Sequence, residues 1–130
     1  MFEIQKMASA AEDSMFRIDR HGEVTILRPS QQVESLRWEL IEQAAELVLQ
    51  AIRAQAPPLV LIDLSQVNYF GSVFLSLLLR CWKQVAASGG MMVLSGASPR
   101  ARELLQVTAL DTLWAIYDTE REAISVLESD

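Results

Sequence analysis

The chain has 130 residues, 51% hydrophobic and 22% charged, with 17 acidic side chains against 11 basic ones and a formal net charge of −6. That length is expected to close one hydrophobic core with no second catalytic domain, and the apolar content argues against a disordered chain. The acidic balance opposes a phosphate backbone or an anionic bilayer, both of which recruit clustered Lys and Arg, so no nucleic acid is expected as a partner.

A lone Cys81 closes no internal disulfide, and Met1 to Ala8 lacks a basic stretch followed by an apolar one. No secretory signal is expected, and the predicted location is cytoplasmic. The densest apolar run, from Val73 to Leu79, is broken by Ser76 and closed by Arg80. It falls far short of the roughly 18 to 20 residues that span a bilayer.

Residues 1–14 are small, polar and aperiodic and read as a flexible leader or edge segment ahead of a domain over 15–130. Phe16 and Ile18 alternate with polar neighbours, and Val24 to Leu27 follows Gly22, which predicts a hairpin whose turn uses that glycine at positive φ. From Val33 the apolar residues Leu36, Leu40, Ile41, Ala44, Leu47, Val48 and Ile52 recur every three or four positions, predicting one amphipathic helix up to the Pro57-Pro58 stop. Leu59 to Ile62 is an unbroken aliphatic run, closed by Asp63-Leu64, and predicts a central strand covered on both faces.

Ser72 to Ser88 has helical length and ends at Gly89-Gly90, a left-handed cap. Met91 to Leu94 predicts another buried strand, and Ser98-Pro99 opens a helix running through Val107 with serine as N-cap. Leu113 to Tyr117 is expected as the last strand. Thr119 and Glu122 have capping-box spacing before the final helix. The order β-β-α-β-α-β-α-β-α predicts an α/β domain with a mixed, mainly parallel central sheet of about five strands and about four helices.

Residues for chemistry are scarce. Nucleophilic catalysis needs a base beside the nucleophile, and metal sites need several imidazole, thiolate or carboxylate ligands. The chain offers one His and one Cys, and His21 reads as a solvated turn residue and Cys81 as helix packing. Neither GxGxxG nor GxxxxGK[ST] occurs, so no nucleotide cofactor or metal is expected. Ser95 to Arg102 leads a strand into a helix N-terminus beside two arginines and reads as a capped helix before an anion site. Asp63 at a strand's carboxyl end reads as a turn former. A hydrolase or transferase built on Asp63, Ser72 and this turn ranks last, so the chain is expected not to be an enzyme.

The string Leu59-Val60-Leu61-Ile62-Asp63-Leu64-Ser65-Gln66-Val67-Asn68-Tyr69-Phe70 resembles the STAS family, the domain of anti-sigma factor antagonists. Ser98-Pro99-Arg100-Ala101-Arg102-Glu103-Leu104-Leu105, the later Leu110-Asp111, and Tyr117 to Ala123 carry the same resemblance, over about residues 15 to 127. Members continue with an acidic residue, Ser, a phosphorylatable Ser or Thr, and Gly, and those places look to be Gly71, Ser72, Val73 and Phe74. Val73 has no hydroxyl, so the resemblance implies a protein-binding regulator without its usual phosphoserine switch.

The implied partner is an anti-sigma factor or switch kinase, bound by the loop after Leu27 and by Asn68, Tyr69, Gly71, Ser72, Val73 and Phe74. Ser72 is expected to cap its helix in preference to accepting phosphate. Val73 and Phe74 read equally well as core or as an apolar docking surface. The alternative within the family is a STAS subunit of a lipid-transport ABC complex or of a stress-signalling assembly. Whether the chain forms a homodimer is open at this point.

Overall fold

A computed structural model describes residues 15–129, so the expected leader over residues 1–14 lies outside the described residues. Phe16–His21 (β1) and Val24–Pro29 (β2) pair antiparallel around Gly22, whose φ of 60° is the conformation the hairpin turn requires. Leu59–Asp63 (β3), Met91–Ser95 (β4) and Ile116–Tyr117 (β5) add in parallel, giving the order β1-β2-β3-β4-β5. The helices are Ile41–Arg53 (α1), Ser72–Ala87 (α2), Pro99–Val107 (α3) and Glu120–Glu128 (α4). This five-stranded mixed sheet with four helices is the predicted class.

Alternation along the strands divides the core in two. Leu27, Val60, Ile62, Met92 and Leu94 face a large cluster that takes in Ala44, Ala45, Val48, Leu49 and Ile52 of α1 and the buried residues of α2 and α3. Val24, Ile26, Leu61 and Val93 face a smaller one with Ala123, Ile124 and Leu127 of α4. Strand β3 is therefore covered on both sides, which is why its sequence lacks polar alternation. Each buried aliphatic side chain contributes about 1.5 to 3 kcal/mol, and β2, β3 and β4 each bury three apolar side chains shared between the two clusters.

Two predicted elements differ. The helix expected from Val33 begins only at Ile41, and two short 3₁₀ turns, Gln31–Ser35 and Trp38–Leu40, precede it. Leu36 and Arg37 between them are extended, so the backbone breaks there, yet Val33 and Leu36 still reach the core. A three-residue spacing serves a 3₁₀ turn as well as an α-helix. The strand expected over Leu113 to Tyr117 shrinks to Ile116–Tyr117, because Leu110–Thr112 forms a 3₁₀ turn that sends Trp114 into the core. Among the described residues, no helix is long and apolar enough to cross a membrane.

The junction between α2 and β4 is a Schellman cap. Gly90 N–H donates to Val85 O at 2.9 Å and Gly89 N–H to Ala86 O at 3.2 Å, with Gly89 at φ 71°. Gly90 also lets the chain pass Pro58, since a Cβ there would lie 2.0 Å from the Pro58 carbonyl oxygen.

Candidate functional site: the loop between β3 and α2

The loop from Leu64 to Gly71 leaves the carboxyl end of the central strand, where open α/β sheets place their binding residues. Leu64, Val67 and Phe70 are buried, anchoring the loop at every third residue and leaving Asn68 and Tyr69 outward. Its start is fixed twice: Leu64 N–H donates to Ser95 O at 2.8 Å, and Ser65 N–H donates to Asp63 Oδ1 at 3.0 Å. Asp63 is thus the turn former the sequence suggests, but it does a second job.

Asp63 Oδ2 lies 2.7 Å from Arg28 Nη1. Arg28 also meets Asp19 through Nε at 2.6 Å and Glu120 through Nη1 at 2.5 Å, so one guanidinium gathers β1, β3 and the first turn of α4. The hydrogen bond from Arg28 holds the Asp19 carboxyl below its usual pKa of 3.8. Glu120, then Asp19, in turn raise that of Arg28. Both oxygens of Asp63 are thus engaged, one by Arg28 and the other by the Ser65 amide.

At the loop's crest, Asn68 N–H donates to Glu34 Oε2 at 3.0 Å, and Asn68 O accepts from Ser98 Oγ at 2.7 Å. Ser98 is also the N-cap of α3, accepting from Ala101 N–H at 3.1 Å. The segment after β2 and the start of α3 therefore clasp the loop from both sides. Gln31, Gln32, Glu34 and Ser35 line a shallow open groove with Tyr69. Tyr69 is 45% exposed, and the Arg100 guanidinium sits 4.8 Å from its ring centroid. Of the two arginines in the Ser95 to Arg102 turn, Arg100 rests on this ring and Arg102 pairs with Asp118 at 2.8 Å.

The start of α2 corrects two sequence expectations. Gly71 is the N-cap and makes no side-chain capping bond; Ser72 is the first helical residue and its side chain is exposed. The helix begins one residue early because Gly71 O already accepts from Leu75 N–H at 3.2 Å. Phe74, for which core and surface were evenly balanced, is core: it is 2% exposed and packs edge to face on Phe70 at 5.2 Å between centroids. Val73 is half-buried. The structure brings Asn68, Tyr69, Gly71, Ser72 and Val73 to one end of the sheet and withdraws Phe74.

Elsewhere, Cys81 is buried in α2, and desolvation pushes its thiol up to about 12. His21 ends β1, more than half exposed, 4.0 Å from Glu128. Among the described residues no group of three or more His, Cys, Asp or Glu side chains is placed to hold a metal ion. Sequence reasoning missed the Arg28 cluster and the Tyr69–Arg100 pair, because the Asp63, Glu120 and Arg100 contacts join segments remote along the chain.

Comparison with known proteins is consistent across sequence and structure. Residues 15–123 match the family model of the STAS domain. A solved anti-sigma factor antagonist (STAS) domain protein from Planctomyces limnophilus is 36% identical, with a TM-score of 0.78 over 87% of this chain and 97% of its own. A solved protein from Thermotoga maritima, assigned as an anti-sigma factor antagonist, is 24% identical with a TM-score of 0.75 over 87% of this chain and 94% of its own, a likeness of fold. A curated relative from Thermotoga neapolitana with the same assignment is 32% identical over 69 residues, 53% of this chain and 61% of its own length. The chain thus spans under two thirds of that relative.

Proposed function

This chain belongs to the STAS domain family and is anti-sigma factor antagonist-like, and from that premise we propose that it acts without catalysis, binding an anti-sigma factor or switch kinase in the cytoplasm. The docking face comprises Asn68, Tyr69, Gly71, Ser72 and Val73 together with the segment after β2. Support comes from the way Glu34 and Ser98 hold the loop backbone from either side. A loop so fixed loses little freedom on docking, which preserves affinity.

Control by phosphoserine is absent at the family's usual place. The observation that supports this reading is Val73, half-buried in the first turn of α2, at the position that the family resemblance assigns to the acceptor hydroxyl. Phosphate at a helix N-terminus meets unpaired amides, yet adds about two negative charges to a surface the partner must cover. With valine there, binding is constitutive or governed elsewhere.

The test titrates the full chain with the purified switch kinase encoded nearest its gene. A Kd of about 1 μM or tighter is expected, weakened at least tenfold by Val73→Asp because an unpaired carboxylate would be buried in the interface. Absence of binding, with an ABC ATPase recovered on the chain from cells, would overturn the proposal in favour of the transport assembly.

A further inference from the structure

We propose that Arg100, seated on Tyr69, is the specificity-determining residue of this face and receives an Asp or Glu carboxylate of the protein partner; the inference rests on the docking reading above. Five other arginines, at 17, 28, 37, 80 and 102, have a carboxylate within 4.0 Å. Arg20, Arg53, Arg100 and Arg121 have none among the described residues, and of these four Arg100 is the one seated on an aromatic ring, that of Tyr69. It also lies in the first turn of α3, where the helix dipole disfavours a cation and no acidic residue offsets it. An unpaired guanidinium in an unfavourable place gains most from an incoming anion.

The surroundings favour a carboxylate over other groups. The first turn of α2, at the same end of the sheet, also lacks an acidic residue and a side-chain cap, so its free amides add positive character. Glu34, the acid lining the groove beside Tyr69, already accepts the Asn68 amide. The chain as a whole carries −6, so an acidic partner would be repelled by most of its surface and drawn to this end.

The pair is also preorganised. Ser98 Oγ binds Asn68 O, and these residues neighbour Arg100 and Tyr69 in sequence, so the hydrogen bond sets the two segments that carry the ring and the cation. Arginine, with its planar fork of donors, serves both the ring and a bidentate carboxylate, whereas lysine presents a single point charge.

The experiment measures the affinity of the purified switch kinase encoded nearest the gene for the full chain and for Arg100→Lys, Arg100→Glu and Tyr69→Leu, at low and high salt. Arg100→Glu should weaken binding about 100-fold through like-charge contact, and Arg100→Lys about tenfold through loss of the fork. Tyr69→Leu should weaken it and increase its salt dependence. Replacing the contacting partner acid by Arg should restore affinity for Arg100→Glu. Unaltered binding of Arg100→Glu beside tight binding of the unchanged chain overturns the role of Arg100 alone. Failure of the unchanged chain to bind overturns the docking reading itself. Thermal unfolding, insensitive to an exposed residue of this kind, separates either result from misfolding.

Discussion

Arg28 and Asp63 meet at 2.7 Å across the carboxyl ends of β2 and β3, and the other oxygen of the same carboxylate holds the Ser65 amide that starts the docking loop. The charge cluster under the sheet end and the shape of the binding face are therefore one assembly. Glu120 of α4 joins it through the same guanidinium nitrogen.

Removing the two functions of Asp63 separately should separate their costs. Asp63→Asn keeps an acceptor for Ser65 N–H and loses the ion pair, whereas Asp63→Ala loses both. With Asp63 only 12% exposed and Arg28 26%, the ion pair lies between surface and buried cases. Asn is expected to cost about 1 to 2 kcal/mol and Ala about 1 kcal/mol more. Urea unfolding measures both. Equal losses would show that the Ser65 hydrogen bond contributes nothing.

The depressed pKa of Asp19 predicts the sign of acid sensitivity. Its folded value lies below 3.8, the unfolded one at about 3.8, so the unfolded chain binds the extra proton first as pH falls. The stability Asp19 contributes is complete above that value and is lost as pH falls through the folded pKa. Arg28→Met, which removes the first cause of the shift, should flatten this part of the profile. A pH series of unfolding midpoints between 5 and 2 reads it; an unchanged slope in the variant would contradict the assignment.

Cys81 should be nearly inert. Moving the thiol from 9.0 to about 12 leaves roughly a thousandfold less thiolate near neutral pH, and burial blocks access as well. A raised folded pKa means that its contribution to stability is complete below pH 9 and erodes as the unfolded thiol ionises above it. Labelling by a thiol reagent at pH 8 should track global unfolding. Fast labelling of the folded chain would contradict the packing described for α2.

Neighbouring positions in α2 should behave oppositely. Phe74→Ala removes a buried ring and its edge-to-face partner, costing about 3 to 5 kcal/mol, with partner affinity altered only through lost folding. Val73→Ala, at a half-buried position, should cost under about 1 kcal/mol while weakening the complex. Calorimetric unfolding alongside binding titrations distinguishes the two, and a stable Phe74→Ala would place that ring outside the core.

How much of this was legible in the sequence depended on whether the signal was local. The Gly22 hairpin, the two-sided strand β3, the Ser98 cap and the Gly89-Gly90 stop are set by residues adjacent in the chain, and each appears as expected. The stretch before Ile41 misled because Val33 and Leu36, three apart, suit a 3₁₀ turn and an α-helix alike. Ser72 was displaced from the cap by one residue, since glycine needs no side chain to fill that place. Within the Arg28 cluster only the Asp19 contact is local, made across the antiparallel hairpin; the Asp63 and Glu120 contacts and the Tyr69–Arg100 pair join segments distant in sequence and leave no periodic trace.

The central claim is that this face docks a protein and is not switched by phosphate. The most direct measurement follows the intact mass of the full chain, and its affinity for the switch kinase encoded nearest its gene, before and after incubation with that kinase and Mg-ATP. The account predicts an unmodified mass and an unchanged Kd. Stoichiometric addition of one phosphate to Ser72, with loss of binding, would contradict it.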